Sequence, residues 1–395
     1  MREPIGSIFA VFLRLGLTSF GGPIAHLGYY RREFVERRRW LGEAAYADLV
    51  ALCQLLPGPA SSQVSFAVGL SRGGLAGGVA AWLGFTLPSA VAMVLFARGA
   101  AALTGPLSGG MLHGLQVVAV AVVAQAVWSM ARSLCPDRPR ATIAVVATLF
   151  VTAAPTAIGQ IVAILAGGAA GAWLCREGAA FAASERLSVP VPRALAVAAL
   201  ALFAVLLIGL PIAAAVSSIP VLAVADAFYR AGALVFGGGH VVLPLLHASV
   251  VEPGWVTEDA FLSGYGAAQA VPGPLFTFAA YLGAIMTEAP TGWPGAALCL
   301  VAIFLPGLLL VLGVLPFWAS LGRMPLMPAA LQGVNAAVVG VLLGALYDPV
   351  WTKGVGGSAD FALALMAFAL LVIWKAPSWV VVLVSAAGGA VIFGR

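Results

Sequence analysis

Charge is what this sequence has least of. Asp, Glu, Lys and Arg make up 9% of its 395 residues, where a soluble domain carries about a quarter. An ordinary water-soluble globule is excluded. Alternating apolar and polar strand patterns are missing too, which argues against a barrel. The four cysteines, Cys53, Cys135, Cys175 and Cys299, are scattered with neither metal-ligand spacing nor a disulfide framework, so no metal and no cofactor is expected. There is no Walker A lysine motif, no His-Glu-x-x-His and no Gly-x-Ser-x-Gly. The chain therefore does not read as an enzyme and has no means of hydrolysing ATP by itself. "MREPIGSIFAVFLRLG" runs into the first apolar segment without a small-residue cleavage site, so no cleaved signal is expected. The net charge of +5 comes from arginines flanking apolar runs. Membrane topology explains them better than nucleic acid does.

What fills the space is hydrophobic sequence, 62% of the chain, with a mean hydropathy of +1.04. Apolar runs of about 20 residues suffice to cross a hydrocarbon core. The expected segments are 7–30, 44–70, 74–97, 105–131, 141–154, 157–175, 193–217, 221–246, 259–285, 294–318, 327–350, 361–373 and 377–394. The fold class is an all-α polytopic membrane protein in a lipid bilayer.

A repeat runs through these segments. "FLRLGLTSFGGP" (12–23) aligns with "FYRAGALVFGGG" (228–239), Trp40 with Trp255, and "CQLLPGP" (53–59) with "AQAVPGP" (268–274). Pro88 matches Pro306, "GLQVVAV" (114–120) matches "GVNAAVV" (333–339), and Ala154-Pro155 matches Ala376-Pro377. The expected division is a first repeat over 1–192, a connecting transmembrane helix over 193–220 and a second repeat over 221–395. One unpaired connector inverts the second repeat. Charge agrees: "RREFVERRRW" (31–40) holds five Arg, while its counterpart "HASVVEPGW" (247–255) has no Lys or Arg. The positive-inside rule puts the N-terminus and loop 31–39 in the cytoplasm. If 7–30, 44–70, 221–246 and 259–285 are re-entrant, only Arg98, Lys353 and Arg395 fall outside.

Broken helices at membrane depth line cavities or are buried in protein, and in secondary transporters they build the binding site. The candidate breaks are Phe20-Gly21-Gly22 and Gly237-Gly238-Gly239, whose amides favour anions, and the Pro-Gly-Pro turns around Gly58 and Gly273. Packing of helices through small residues is the bland alternative. Ser61, Ser62 and Thr277 follow the Pro-Gly-Pro turns and either bind an oxyanion or cap the new half-helix. Gln54 and Gln269 precede those turns at matched positions. Arg14 and Arg230 also match, six residues before each Phe-Gly-Gly. A membrane-embedded Arg is a functional candidate, and its planar fork suits a tetrahedral oxyanion; snorkelling is the alternative for Arg14. Coupling candidates are Asp226, which is spaced for an i,i+4 ion pair with Arg230, Glu43 and Glu258 at helix starts, and His26 and His240 beside the breaks.

As a set, "FGGPIAHLGYYRREFVERRRWL" (20–41), "LCQLLPGP" (52–59), "FGGGHVVLPLL" (236–246) and "AAQAVPGPLFTFAAYLG" (267–283) resemble the chromate ion transporter family, in its long two-domain members. The resemblance implies a bacterial inner-membrane secondary transporter that exports chromate and confers chromate resistance, with sulfate as competitor or related substrate. A homodimer is left open. The second reading is a sulfate or other oxyanion exchanger or importer. Outside transport, an intramembrane enzyme or lipid-handling protein is the alternative, against which the lack of a clustered catalytic set counts.

Overall fold

The computed structural model describes residues 3–102, 105–175, 191–217, 219–318 and 326–394. Arg395, and residues 176–190 near the end of the first expected repeat, lie outside the described residues. Among those described, every regular element is helical. Six helices are long and apolar enough to cross a membrane, so the protein is an all-α polytopic membrane protein.

The first half runs through α1 (Ile5–Thr18), α2 (Gly22–Arg31), a π-helical turn (Arg32–Arg37), α3 (Glu43–Leu55), α4 (Ala60–Ala102), α5 (Pro106–Leu134), α6 (Arg138–Ala153) and α7 (Ala157–Leu174). Then α8 (Arg193–Val216) leads to the second half. That half has α9 (Pro220–Leu234), a 3-10 turn (Gly239–Val241), α10 (Val242–Leu246), a π-helical turn (His247–Val251) and α11 (Glu258–Ala268). After it come a 3-10 turn (Leu275–Thr277), α12 (Phe278–Ile285), α13 (Gly292–Val314), α14 (Leu326–Ala345), α15 (Thr352–Gly354), α16 (Ser358–Val372) and α17 (Ser378–Phe393). Both halves thus break at the same motifs, and each places a π-helical turn after its first broken hairpin.

Local chemistry sets these boundaries. Gly21 (φ 100°) and Gly237 (φ 73°) take backbone that side chains disfavour, and the helix stops there. Pro23 then sits in the first turn of α2, where a missing N–H is harmless. Gly74 (φ 64°) bends α4 between the expected segments 44–70 and 74–97. At the start of α6 the Asp137 carboxylate accepts from the Arg140 backbone N–H at 3.0 Å. The Arg140 side chain beside it also donates, and these bonds hold Asp137 below its usual carboxylate range.

The broken segments double back. Phe12 lies 5.0 Å from Phe34, ring to ring; in one straight helix the two would be about 33 Å apart. Likewise Tyr281 donates its hydroxyl to the Ala260 carbonyl at 2.9 Å across the second Pro-Gly-Pro. The long helices then cross between halves: α5 packs against α16 and α17, and α14 packs against α6 and α7. Small residues allow it. A side chain at Gly333 would run into the backbone of Gly167 and Gly171, and one at Gly114 into Ser385 and Ala386. Large apolar residues such as Leu149, Leu165, Val205 and Val391 stay exposed, as lipid-facing residues do.

Replacing Gly333 by Leu is expected to prevent close docking of α7 on α14, at a cost of about 1–3 kcal/mol or more. The check is the melting temperature of the purified protein. Gly209→Leu, at a position with open space around it, is the control and leaves melting unchanged.

Candidate functional site

The four breaks meet, and they do so by exchanging hydrogen bonds between halves. The Gly58 N–H of the first Pro-Gly-Pro donates to the Val235 carbonyl at 2.7 Å, and the Gly273 N–H of the second donates to the Ser19 carbonyl at 2.9 Å. Ser19 aligns with Val235 and Gly58 with Gly273, so the two bonds are the same bond made twice. The glycines are required here: Gly58 has φ 117° and Gly273 φ 103°. Each also backs onto the other half's long helix, just after that helix's proline. A Cβ on Gly58 would lie 3.1 Å from Gly307 Cα, and one on Gly273 2.8 Å from Ser89 Oγ.

Around this frame lie polar groups that the protein leaves unpaired. No side chain caps the helical starts at Gly22, Gly239 or Leu275, so their first N–H groups carry an uncompensated partial positive charge. Ser19 Oγ, Ser62 Oγ, Gln63 Oε1 and Gln269 Nε2 are buried atoms without a hydrogen-bond partner. Such groups are rare in a settled interior. Four of them lie beside the same breaks: the Ser19 and Ser62 hydroxyls and the Gln269 amide nitrogen can donate, whereas Gln63 Oε1 only accepts.

The expected site residues divide. Ser61 and Ser62 are buried at the start of α4. His26 joins two breaks: its Nε2 donates to the Ser19 carbonyl at 3.2 Å, and its Nδ1 faces Ser61 Oγ at 3.3 Å. In the other half His240 Nδ1 pairs with the Tyr265 hydroxyl at 2.7 Å. Thr277 turns its hydroxyl back to the Pro274 carbonyl at 2.8 Å and makes no side-chain cap on α12. Gln54 is exposed while its counterpart Gln269 is half-buried. Phe20 rests against Trp379, with ring centroids 6.2 Å apart. Gln63 pins the first turn by donating to the Pro57 carbonyl at 2.8 Å and the Gly307 carbonyl at 3.3 Å.

Two residues outside the expected set also stand here. Tyr265 is one, with no local signal to mark it. Asn335 is the other: its Oδ1 lies 3.4 Å from where a Cβ on Gly237 would be. It matches Gln116 in the aligned "GVNAAVV" and "GLQVVAV", so a polar residue at both positions was the available signal.

The arginines sit elsewhere. Arg14 and Arg230 line two separate depressions on the flanks of α1 and α9, which share no residue with each other or with the breaks. Arg230 is paired with Asp226, at the spacing expected. Glu43 receives Arg31 through two bonds of 2.7 and 3.0 Å, and the matched Glu258 receives His247 at 2.9 and 3.1 Å. These pairs tie the end of α2 to the start of α3, and the second π-helical turn to the start of α11.

Gly273→Ala is expected to lower the melting temperature, since its backbone geometry alone costs about 1–3 kcal/mol for a side chain and its methyl meets Ser89. Adding Ser89→Ala recovers only part of the loss. Gly6→Ala, in open space, leaves melting unchanged.

Comparison with known proteins supplies the family. The chromate transporter family model matches residues 6–172 and 222–390. The chain is 31% identical to the chromate transport protein of Pseudomonas aeruginosa, over 96% of this chain and 90% of the relative. It is 29% identical to the chromate transport protein of Cupriavidus metallidurans, over 92% and 87%, and 27% identical to the probable chromate transport protein of Synechococcus elongatus, over 97% and 94%. No solved structure matches. With the family model covering both halves and full-length relatives alongside it, the chain belongs to the chromate transporter family.

Proposed function

We propose that this protein exports chromate, a tetrahedral dianion, from the cytoplasm by secondary active transport through the cluster of four helix breaks. The observation that carries the reading is the set of uncapped helical starts beside the unpaired donors of Ser19, Ser62 and Gln269. Donors without protein partners suit an oxyanion, which accepts from every side. On this reading the cargo is held by the amides around Gly21, Gly22, Gly237 and Gly238, with Ser62, Gln269 and Asn335 beside them. The two halves act as inverted repeats that rock against one another about the Gly58–Val235 and Gly273–Ser19 bonds. The protein lies in the bacterial inner membrane with its N-terminus and loop 31–39 in the cytoplasm. An inward-negative potential then drives export by about 2.3 kcal/mol per net charge per 100 mV.

A sulfate or other oxyanion exchanger is the second reading, favoured by the same donor set, which recognises shape and charge rather than the central atom. Chromate uptake into inverted vesicles separates the outcomes. Saturable uptake inhibited by sulfate is expected. Ser62→Ala and Gln269→Leu each raise the half-saturation concentration about tenfold, the worth of one hydrogen bond to a charged ligand. Sulfate uptake in the absence of any chromate uptake makes the second reading the correct one. Unchanged half-saturation in both variants removes the breaks from the site.

A further inference from the structure

The depression on the flank of α1 has an unusual charge. It encloses about 130 Å³ between α1 and the π-helical turn and is lined by Arg14, Thr18, Tyr29, Arg32, Glu33 and Arg38. Glu33 is already committed, with one oxygen accepting from Arg38 Nε at 2.6 Å and the other from Arg37 at 3.1 Å. Among the described residues neither Arg14 nor Arg32 has an acidic partner within ion-pair distance. The Arg14 and Arg32 guanidinium groups and the Thr18 and Tyr29 side chains therefore border one small space whose single carboxylate, Glu33, is taken by Arg37 and Arg38.

The second half shows that this charge is not an inevitable product of the repeat. The corresponding depression is lined by Arg230, Ala231, Leu234, Leu245 and Ser249 and encloses about 20 Å³. Arg230 aligns with Arg14, but Asp226 one turn earlier neutralises it. The residue aligned with Asp226 is Ala10. Leu234 stands where Thr18 is, and Leu245 where Tyr29 is. One copy of the pocket is small, lined mostly by apolar side chains and charge-balanced. The other is larger and carries three arginines against one glutamate, beside Val11, Leu15, Thr18 and Tyr29.

We infer that the Arg14–Arg32 pocket is a second anion site, separate from the helix breaks, which receives a tetrahedral oxyanion group on the arginine-rich face. The group is either a free dianion such as sulfate or the phosphate of an anionic lipid headgroup. Both present the same oxygens to the two planar forks. The site stands whether or not chromate is the cargo, because it rests on this pocket alone.

The test uses phenylglyoxal, which modifies accessible guanidinium groups, on the full-length protein in nanodiscs, with each arginine followed by peptide mass spectrometry. In phosphatidylcholine nanodiscs, sulfate at about ten times its dissociation constant slows modification of Arg14 and Arg32 about tenfold relative to chloride at equal ionic strength. Arg230 is unaffected. If instead phosphatidylglycerol nanodiscs give the protection without sulfate, the lipid phosphate is the occupant and the site stands. Equal protection of Arg230 would reduce the effect to ionic screening and overturn the assignment. So would unchanged rates at Arg14 and Arg32 in both arms. Transport by the same preparation is not needed for any of these outcomes.

Discussion

A backbone amide or carbonyl inside a bilayer must find a partner within the protein, and this chain, with six helices long and apolar enough to cross one, interrupts its helices at four Gly- and Pro-rich breaks. Its answer is reciprocal. Each half's Pro-Gly-Pro amide is satisfied by the other half's Phe-Gly-Gly segment, Gly58 to Val235 and Gly273 to Ser19. Everything near the centre follows from that arrangement. The glycines must be glycines because the amide has to be turned outward. Gly307 and Ser89 must be small because a Pro-Gly-Pro turn lies against each of them. The crossing of α5 and α14 into the opposite half then fixes the two sets of breaks against one another.

Within this repeated frame the side chains have diverged. His26 and Gln63 bridge backbone and hydroxyl groups in the first half. The positions aligned with them hold Val242 and Phe278, both buried. The side-chain pair after the first broken hairpin shows the same drift. It is Arg31 with Glu43 in one half and His247 with Glu258 in the other. The backbone symmetry gives the protein its breaks, and the asymmetric side chains give the cluster a polar and an apolar flank.

Much of this was legible in the sequence because glycine and proline report backbone geometry directly. The break positions, the bend near Gly74, the division at Pro155 and the Asp226–Arg230 pair all depend on residues within a few positions of one another. What was not legible depends on distant partners. Arg14 announced itself as unusual, but the direction it faces is set by the chain doubling back, which places Tyr29 and Arg32 beside it. Asn335 lies beside Gly237 only because α14 packs there. Thr277 and Ser62 follow the same kind of turn, yet one bonds to its own turn and the other does not. That difference is decided by packing and leaves no trace in spacing.

The reciprocal bonds also bear on how the protein is made. Val235 leaves the ribosome roughly 180 residues after Gly58, on the order of 10 to 40 s later at ordinary elongation rates. During that interval the first half has its Gly58 amide without its final partner, while the Ser19 carbonyl already has His26 Nε2 to accept from. Water or another polar group must satisfy that amide until the second half arrives, so the first break reaches its finished form only after the second half has been made.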